Sequence, residues 1–339
     1  MRSLRVLELN AWIGLLVRGA LGVERLDPPG HKEKRFRALV SELRALDPDV
    51  VTLQECLPLP RFAERLAAEA GYDVIWRVCN SGLRVLDFGL PWGIGRGEGV
   101  AILARAGLGL TQVDTRRLSG HGFVTHWVSL QLGPIRYALA GRIDLDGRPV
   151  VIVTTHVRYG FPNRGAFDAA WETLARRGHV DDPTPPVWIA RMAARNRATR
   201  DLELDRLAAW LEELRGRHGA PVVLGADLNL EPDAPEVARL CAVTGFTNAL
   251  PLVAPSARTW DPDGNPNVKL GTAYAWADGS PKPVVLKLMA YLDRVPQCPD
   301  HILVSPDLAV RDAGLACHHP VDGVFASDHY GVWADLTLT

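Results

Sequence analysis

Four short apolar runs in this chain each stop at an acid, an amide or a histidine, and this repeated ending limits the fold more tightly than any other feature. Residues 4–9 end at Asn10, 50–53 at Gln54-Glu55 and 150–155 at His156, while 222–224 leads into Asp227-Leu228-Asn229. A fifth polar stretch, Ser327-Asp328-His329, stands just before the run 332–338. Short runs rich in β-branched residues read as buried strands. The polar residue after each one emerges at a sheet end, where several such ends can converge on one pocket. If the pattern from Asn10 to His329 forms one site, both halves of the chain close around it. Residues 1–339 are then a single domain, although length alone suggests about two.

Composition narrows the function classes. Hydrophobic residues make up 47% and charged residues 23%, which suits a globular chain with a sizeable core and argues against extended disorder. A net charge of -1 offers no field for sequence-independent binding to a polyanion, which weighs against a nuclease. Arg191, Arg195, Arg197 and Arg200 recur at helical spacing and read as a solvated helix face rather than a phosphate track. Cys56, Cys79, Cys241, Cys298 and Cys317 include no Cys-x-x-Cys pair, so neither a zinc cluster nor a disulfide framework is expected. Glu8 and Asn10 interrupt what would be the hydrophobic region of a signal peptide, and no apolar run is long enough to span a bilayer. A reducing, cytoplasmic setting is the expectation.

Phe36, Leu39, Val40, Leu43 and Leu46 predict a helix over 33–46, stopped by Asp47-Pro48-Asp49. The stripe Leu204, Leu207, Ala208, Leu211 and Leu214 predicts a second over about 199–215, ended by Gly216 and Gly219. Further strands are expected at 100–103, 128–132, 137–143 and 302–304. This mixed order fits an α/β sandwich. Residues 80–99, 159–187 and 251–287, rich in glycine, proline and aromatics, read as long loops of the kind that form lids or binding walls. Gly93, Gly95, Gly97 and Gly99 alternate within the first and read as a turn, since no flanking strand and helix support a dinucleotide fingerprint.

Each polar ending has its own chemistry. A carboxylate such as Glu55 at a buried strand end is costly unless paired, and a divalent cation is a natural partner; a salt-bridged structural glutamate is the plainer alternative. Asn10 adds a neutral oxygen, and magnesium needs only one or two protein carboxylates because it keeps several waters. Asp227 and Asn229 lie two apart, so continued strand geometry would turn both toward one face to hold a nucleophilic water, whereas Asp-x-Asn also makes ordinary turns. Asp328-His329 supplies an imidazole suited to taking a proton from water, with Asp300 available to hold its tautomer. His156 is placed to donate to a phosphoryl oxygen as charge builds there, with Glu98 orienting or protonating it; a capped strand end is the plainer reading.

Taken in order, Leu9-Asn10, Gln54-Glu55, Thr155-His156, Asp227-Leu228-Asn229, Asp300-His301-Ile302 and Ser327-Asp328-His329 resemble the motifs of the endonuclease/exonuclease/phosphatase superfamily. That superfamily includes pancreatic-type deoxyribonucleases, abasic-site endonucleases, inositol polyphosphate phosphatases, deadenylases and neutral sphingomyelinases. The resemblance spans essentially the whole chain. It implies a four-layer α/β sandwich, with two mixed β-sheets packed face to face and helices outside. It also implies that Glu55 and Asn10 hold Mg2+, for which Mn2+ can substitute, and that Asp328 supports the metal or the base. Asp227 with Asn229 would position the attacking water, His329 would be the general base oriented by Asp300, and His156 paired with Glu98 would stabilise the pentacovalent phosphorus. In-line attack of water on phosphorus is the implied mechanism. Two departures stand out. The family's Arg-x-Asp-Tyr reads here as Cys298-Pro299-Asp300-His301, which leaves Asp293-Arg294 as a competitor, and its Gly-Asp-x-Asn reads as Gly225-Ala226-Asp227-Leu228-Asn229.

The opening Leu-Asn-x-Trp and the stretch 327–331 are similar to the neutral sphingomyelinase-like branch. Leu86, Phe88, Leu90, Trp92 and Ile94 form a candidate apolar lip for substrate or lipid, with local packing under the loop as the plainer reading. The expected function is a metal-dependent phosphodiesterase acting on a phospholipid headgroup or small phosphodiester, with peripheral lipid contact through residues 86–94. A nuclease acting on DNA or RNA is the alternative, ahead of a phosphomonoesterase or a non-catalytic binding protein.

Overall fold

The central strands of this molecule are apolar on both faces, so each must be covered on both sides. The computed structural model, which describes residues 3–18, 22–85, 88–90, 97–125, 128–131, 133–161, 164–270 and 284–339, meets that demand with two six-stranded mixed sheets. From edge to edge the first runs Leu308–Ala316, Gly331–Leu338, Leu4–Asn10, Val50–Leu59, Gly97–Arg105 and Tyr72–Asn80. The second runs Thr247–Asn248, Asp300–Val304, Val222–Asp227, Arg148–His156, Arg136–Leu145 and Thr111–Ser119.

Strand phase decides what meets what. Leu4, Val6, Val50 and Ile102 of the first sheet pack against Leu139, Val150, Ile152, Val223 and Ile302 of the second in one buried cluster. One residue out of phase, Leu7, Leu9, Val51 and Leu53 meet helices His31–Leu46 and Arg61–Ala70 through Phe36, Leu39, Leu43 and Leu66. On the other side, Val151, Val153, Val222 and Leu224 meet helices Val187–His218 and Pro235–Thr244 through Leu204, Leu207, Leu211 and Leu240. The result is four layers, with the two sheets face to face and helices outside. Helix His31–Leu46 starts two residues before its expected beginning and stops at Asp47, whose left-handed φ of 51° lets its N–H cap Leu43 O.

Segments expected to be loops carry structure of their own. Residues 159–187 hold helix Arg164–Arg176, whose Phe167, Ala170, Trp171 and Leu174 have the spacing of a buried helix face and pack with Ile189 and Leu288. The helix expected from 199 begins at Val187, because Ile189 and Ala193 extend its buried side into that same cluster. Arg200, expected on a solvated face, is buried. Within 251–287 lie a 3-10 turn, Val268–Leu270, and the start of helix Val284–Leu292. Residues 80–99 supply strands Leu83–Val85 and Phe88–Leu90 to a small sheet with Gly122–Val124 and Val128–Gln131. Gly97 and Gly99, expected in a turn, are strand residues, and a Cβ on Gly99 would lie 2.0 Å from Arg77 O. The side chains of the expected lip, Trp92 among them, lie outside the described residues. All five cysteines are free, and among the described residues no helix is long and apolar enough to cross a membrane.

Ile152 sits fully buried where the sheets face each other. Ile152→Ala is expected to lower stability by about 2–5 kcal/mol in a urea titration. A loss under about 1 kcal/mol would show that the sheets do not depend on that contact.

Candidate active site

The alternation that buries Leu4 and Val6 between the sheets also turns Glu8 and Asn10 inward. His156 shares phase with Val150 and Ile152, Asp227 with Val223, and Asp300 with Ile302 and Val304. Strands Leu4–Asn10 and Val50–Leu59 are parallel, as are Arg148–His156 and Val222–Asp227, so their carboxyl ends lie at one end of the sandwich. Asp300–Val304 and Gly331–Leu338 run antiparallel to their neighbours, which brings Asp300 and the residues before Gly331 to that same end. Just beneath, Gln54 spans the sheets by donating to Thr154 Oγ1 at 3.0 Å. A cavity of about 220 Å³ opens there, with Asn10, Glu55, His156, Asp227, Asp328 and His329 on its walls. A larger hollow of about 430 Å³ lies at the opposite ends of the strands, where the ion pairs Arg5–Asp335 and Arg105–Asp47 face solvent.

Glu55 reaches this cavity from inside its strand, not from the strand's end. The register shifts between Leu53 and Cys56, and Glu55 has a φ of 53°, a bulge that redirects its side chain. Its Oε2 accepts from the Ile13 N–H at 3.0 Å. Asn10 uses both ends of its amide: Nδ2 donates to Asp227 Oδ2 at 2.9 Å, and Oδ1 accepts from the Trp12 N–H at 3.0 Å. Asp227 Oδ1 accepts from the Asn229 N–H at 2.9 Å, and Asn229, with φ 53°, donates its side-chain amide to Val157 O at 3.0 Å. The Asp-x-Asn segment is therefore a turn, and that turn is what holds Asp227 in the cavity.

His329 Nδ1 lies 2.8 Å from Asp300 Oδ2, with both residues buried. Asp293, the competitor, accepts from the Tyr159 hydroxyl at 2.8 Å instead. Burial alone would lower the His329 pKa, but the Asp300 carboxylate, with Asp328 and Asp227 beyond it, holds it well above the ordinary imidazole value. Burial pushes Asp227 up to about 7, with repulsion from Asp300 adding to it. Asp328 is likewise pushed up to about 7, by burial and then by the nearby Glu55 carboxylate. His156 moves the other way, lowered well below its usual value by burial, Arg136 and His329, so it is a neutral imidazole at neutral pH. Its Nε2 is 3.4 Å from Asp227 Oδ2.

No hydrogen bond joins His156 to Glu98, the pair expected from the sequence. Glu98 Oε2 instead accepts from Asn80 Nδ2 at 2.5 Å, and Asn80 Oδ1 is itself held by Gln131 and by the Ile135 N–H. Burial raises Glu98 to about 7.

The donor set suits a hard cation: it is rich in carboxylate oxygen, and Glu55 and Asp328 repel each other in the absence of positive charge. Atoms of Asp227, Asp300 and His329 also lie within 4.8 Å of one another, although the Asp300–His329 hydrogen bond already uses one imidazole nitrogen of that group.

Several residues of the site carried no motif. Glu8 is fully buried with neither carboxyl oxygen hydrogen-bonded, and burial with repulsion from Asp300 and Asp227 raises it well above the carboxylate range. Its signal was phase, two residues before Asn10. Arg35 pairs with Asp27 at 2.6 Å and donates to Ala11 O, Trp12 O and Ala326 O. Its signal was an arginine beside Phe36 and Leu39 on the buried side of a helix. Trp260 sets its ring edge-on to His329, centroids 5.0 Å apart, and Arg136 lines the cavity; neither had a sequence signal.

A family model described as Endonuclease/Exonuclease/phosphatase family matches residues 10–329. No match is found among curated proteins. Among solved structures the chain is similar to the human Nocturnin catalytic domain with bound sulfate anion, at 16% identity and a TM-score of 0.58, covering 99% of this chain and 95% of that one. It is similar to TDP2 of D. rerio complexed with single strand DNA product, at 18% identity and a TM-score of 0.58, covering 99% of both chains. A mannosyl-6-phosphatase of Bacteroides thetaiotaomicron VPI-5482 aligns at 15% identity and a TM-score of 0.59, covering 99% of this chain and 100% of that one. At such identities the likeness establishes the fold.

The raised carboxyls make stability depend on pH. Folding favours the protonated forms of Asp227, Asp328 and Glu98, so their contribution is full below about pH 4 and is lost as pH rises through about 7. The lowered His156 pKa acts only below about pH 6.5. Without divalent cations the Tm is therefore expected to fall from about pH 6.5 to about 8, and millimolar magnesium to reverse the fall. A Tm that climbs across that window without cations would contradict the burial of these groups.

Proposed function

Because this chain belongs to the endonuclease/exonuclease/phosphatase family, whose members hydrolyse phosphoesters, we propose that it is a magnesium-dependent phosphodiesterase driven by in-line attack of water on phosphorus. The observation that carries this reading is the meeting of the His329–Asp300 pair with Asp227 and Glu55 around one cavity, from strands of both sheets. Asp227, held by Asn10 and the Asn229 N–H, orients the attacking water. His329 accepts the proton of that water while Asp300 holds its Nδ1. His156, a neutral imidazole, donates toward the phosphoryl oxygen on which charge accumulates. Glu98 is bonded to Asn80, with no hydrogen bond to His156. Magnesium held by Glu55 and Asn10 with Asp328, or manganese in its place, would supply Lewis-acid polarisation of a phosphoryl oxygen and offset the negative field around His329.

A small phosphodiester or a phospholipid headgroup is the first substrate reading. A cavity of about 220 Å³ and a net charge of -1 favour a compact ester over a long polyanion. Lipid contact through residues 86–94, with Trp92 on the lip, belongs to this reading and rests on the sequence alone, as does the sphingomyelinase-like affinity. A cytoplasmic setting accords with the five free cysteines. A nuclease is the second reading, favoured by the likeness to TDP2 complexed with a single strand DNA product, and the mannosyl-6-phosphatase likeness favours a phosphomonoesterase.

Sphingomyelin hydrolysis and plasmid nicking, run side by side with magnesium and with chelator, separate these readings; inactivity on every phosphoester with every divalent cation would refute all of them. His329→Ala is expected to cut kcat by about 10²–10⁴-fold with an unchanged circular dichroism spectrum. Full activity in that variant would remove His329 as base. Glu55→Ala should raise the magnesium concentration for half-maximal rate by roughly tenfold or more, and an unmoved titration would place the cation elsewhere.

A further inference from the structure

Arg136 is the one arginine or lysine among the described residues that line the cavity. It begins strand Arg136–Leu145, where Ala138 pairs with Thr155, so it stands beside the strand end that carries His156. Simple alternation would put it in phase with Ala138 and Ala140, which face the outer helices. The register shift beside Arg136 puts an extra residue, Leu118, in the neighbouring strand Thr111–Ser119, and at this irregular strand end Arg136 lines the cavity.

Among the described residues this guanidinium has no hydrogen-bond or ion-pair partner, and its Nε is shut off from solvent. A half-buried cation in that condition is costly unless an anion completes it. The neighbouring acids take their hydrogen bonds from elsewhere, although the Arg136 charge is felt at Glu98, where it works against the rise that burial causes. Glu98 is bonded to Asn80, Asp227 to Asn10 and the Asn229 N–H, Asp300 to His329, and Glu55 to the Ile13 N–H. The charge of Arg136 is nevertheless felt at His156, whose protonation it opposes. A planar fork of donors matches two oxygens of a phosphoryl group.

Resting on the phosphoester reading above, we infer that Arg136 is a substrate-binding residue whose guanidinium donates to the non-bridging phosphate oxygens on the His156 side of the cavity. The negative wall of Glu55, Asp227 and Asp328 and the positive wall of Arg136 then divide the work. One holds the cation and the water, and the other seats the anion.

The test compares wild type, Arg136→Gln and Arg136→Lys in the full chain. Inorganic phosphate is titrated calorimetrically into the cation-free protein. It is also used as an inhibitor of bis(p-nitrophenyl) phosphate hydrolysis with magnesium, and a thermal melt monitors the fold. Arg136→Gln is expected to weaken phosphate binding about tenfold or more, to raise the inhibition constant and KM in step, and to leave the Tm unchanged or higher. Arg136→Lys should recover part of the binding, since it keeps the charge but not the fork. Phosphate affinity and KM unchanged in Arg136→Gln, or in Arg136→Lys if the glutamine variant does not fold, would overturn the assignment. Arg136-dependent phosphate binding in a wild-type protein that hydrolyses nothing would sink the hydrolase reading and leave the anion site standing. Hydrolysis indifferent to Arg136 would do the reverse.

Discussion

Carboxylates crowded between two sheet ends, where little water reaches them, are the constraint to which the rest of this structure answers. Glu8 and Asp300 are fully buried, and Asp227, Asp328 and His329 are nearly so. Groups this close repel one another and are poorly solvated, so without a cation the cluster retains protons: Asp227 and Asp328 sit near pH 7, and Glu8 well above the carboxylate range. His329 keeps its proton for the complementary reason, since the negative field of Asp300 outweighs its own burial. A site under this strain is relieved by positive charge. Binding free energy at such a site is also folding free energy, which links function to stability without any moving part.

Crowded groups keep their geometry only if the backbone that carries them is tied down. One guanidinium does much of that here. Arg35 leaves helix His31–Leu46, is packed over the Trp12 ring at 4.4 Å, and pairs with Asp27. Its donors reach Ala11 O and Trp12 O, in the turn that carries the N–H groups holding Asn10 and Glu55, and Ala326 O, two residues before Asp328. Against the cost of its own burial, Asp27 is kept below the usual carboxylate range by Arg35 and His31. The same helix buries Phe36, Leu39 and Leu43 against the first sheet. Core packing and site geometry are therefore mechanically one.

Much of this was legible in order along the chain. The runs ending at Asn10, His156 and Asp227 are strands that end there, and the helical stripe 33–46 is a helix, because each depends on spacing between near neighbours. Other features were not legible. Phe167, Ala170, Trp171 and Leu174 carried a helical period inside a stretch whose glycines and prolines suggested a loop, and the cluster that stabilises the helix includes Leu288 from far along the chain. Glu98 answers to Asn80 and not to His156, a choice made by side chains that spacing cannot rank. Glu55 reaches the cavity through irregular register in its own strand, which alternation places wrongly by construction.

By itself, then, the sequence determined the phase of each strand, and with it which residues point between the sheets and which toward the helices, because side-chain direction in a strand follows from covalent geometry and repeats every two residues. It also determined that oxygen and imidazole donors stand where those strands end. Only the tertiary structure decided which of these groups touch, which proton each one keeps, and which cation faces them. Those outcomes depend on burial and on distances between groups hundreds of residues apart, and electrostatic free energy is set by such distances and by the surrounding medium, not by order along the chain.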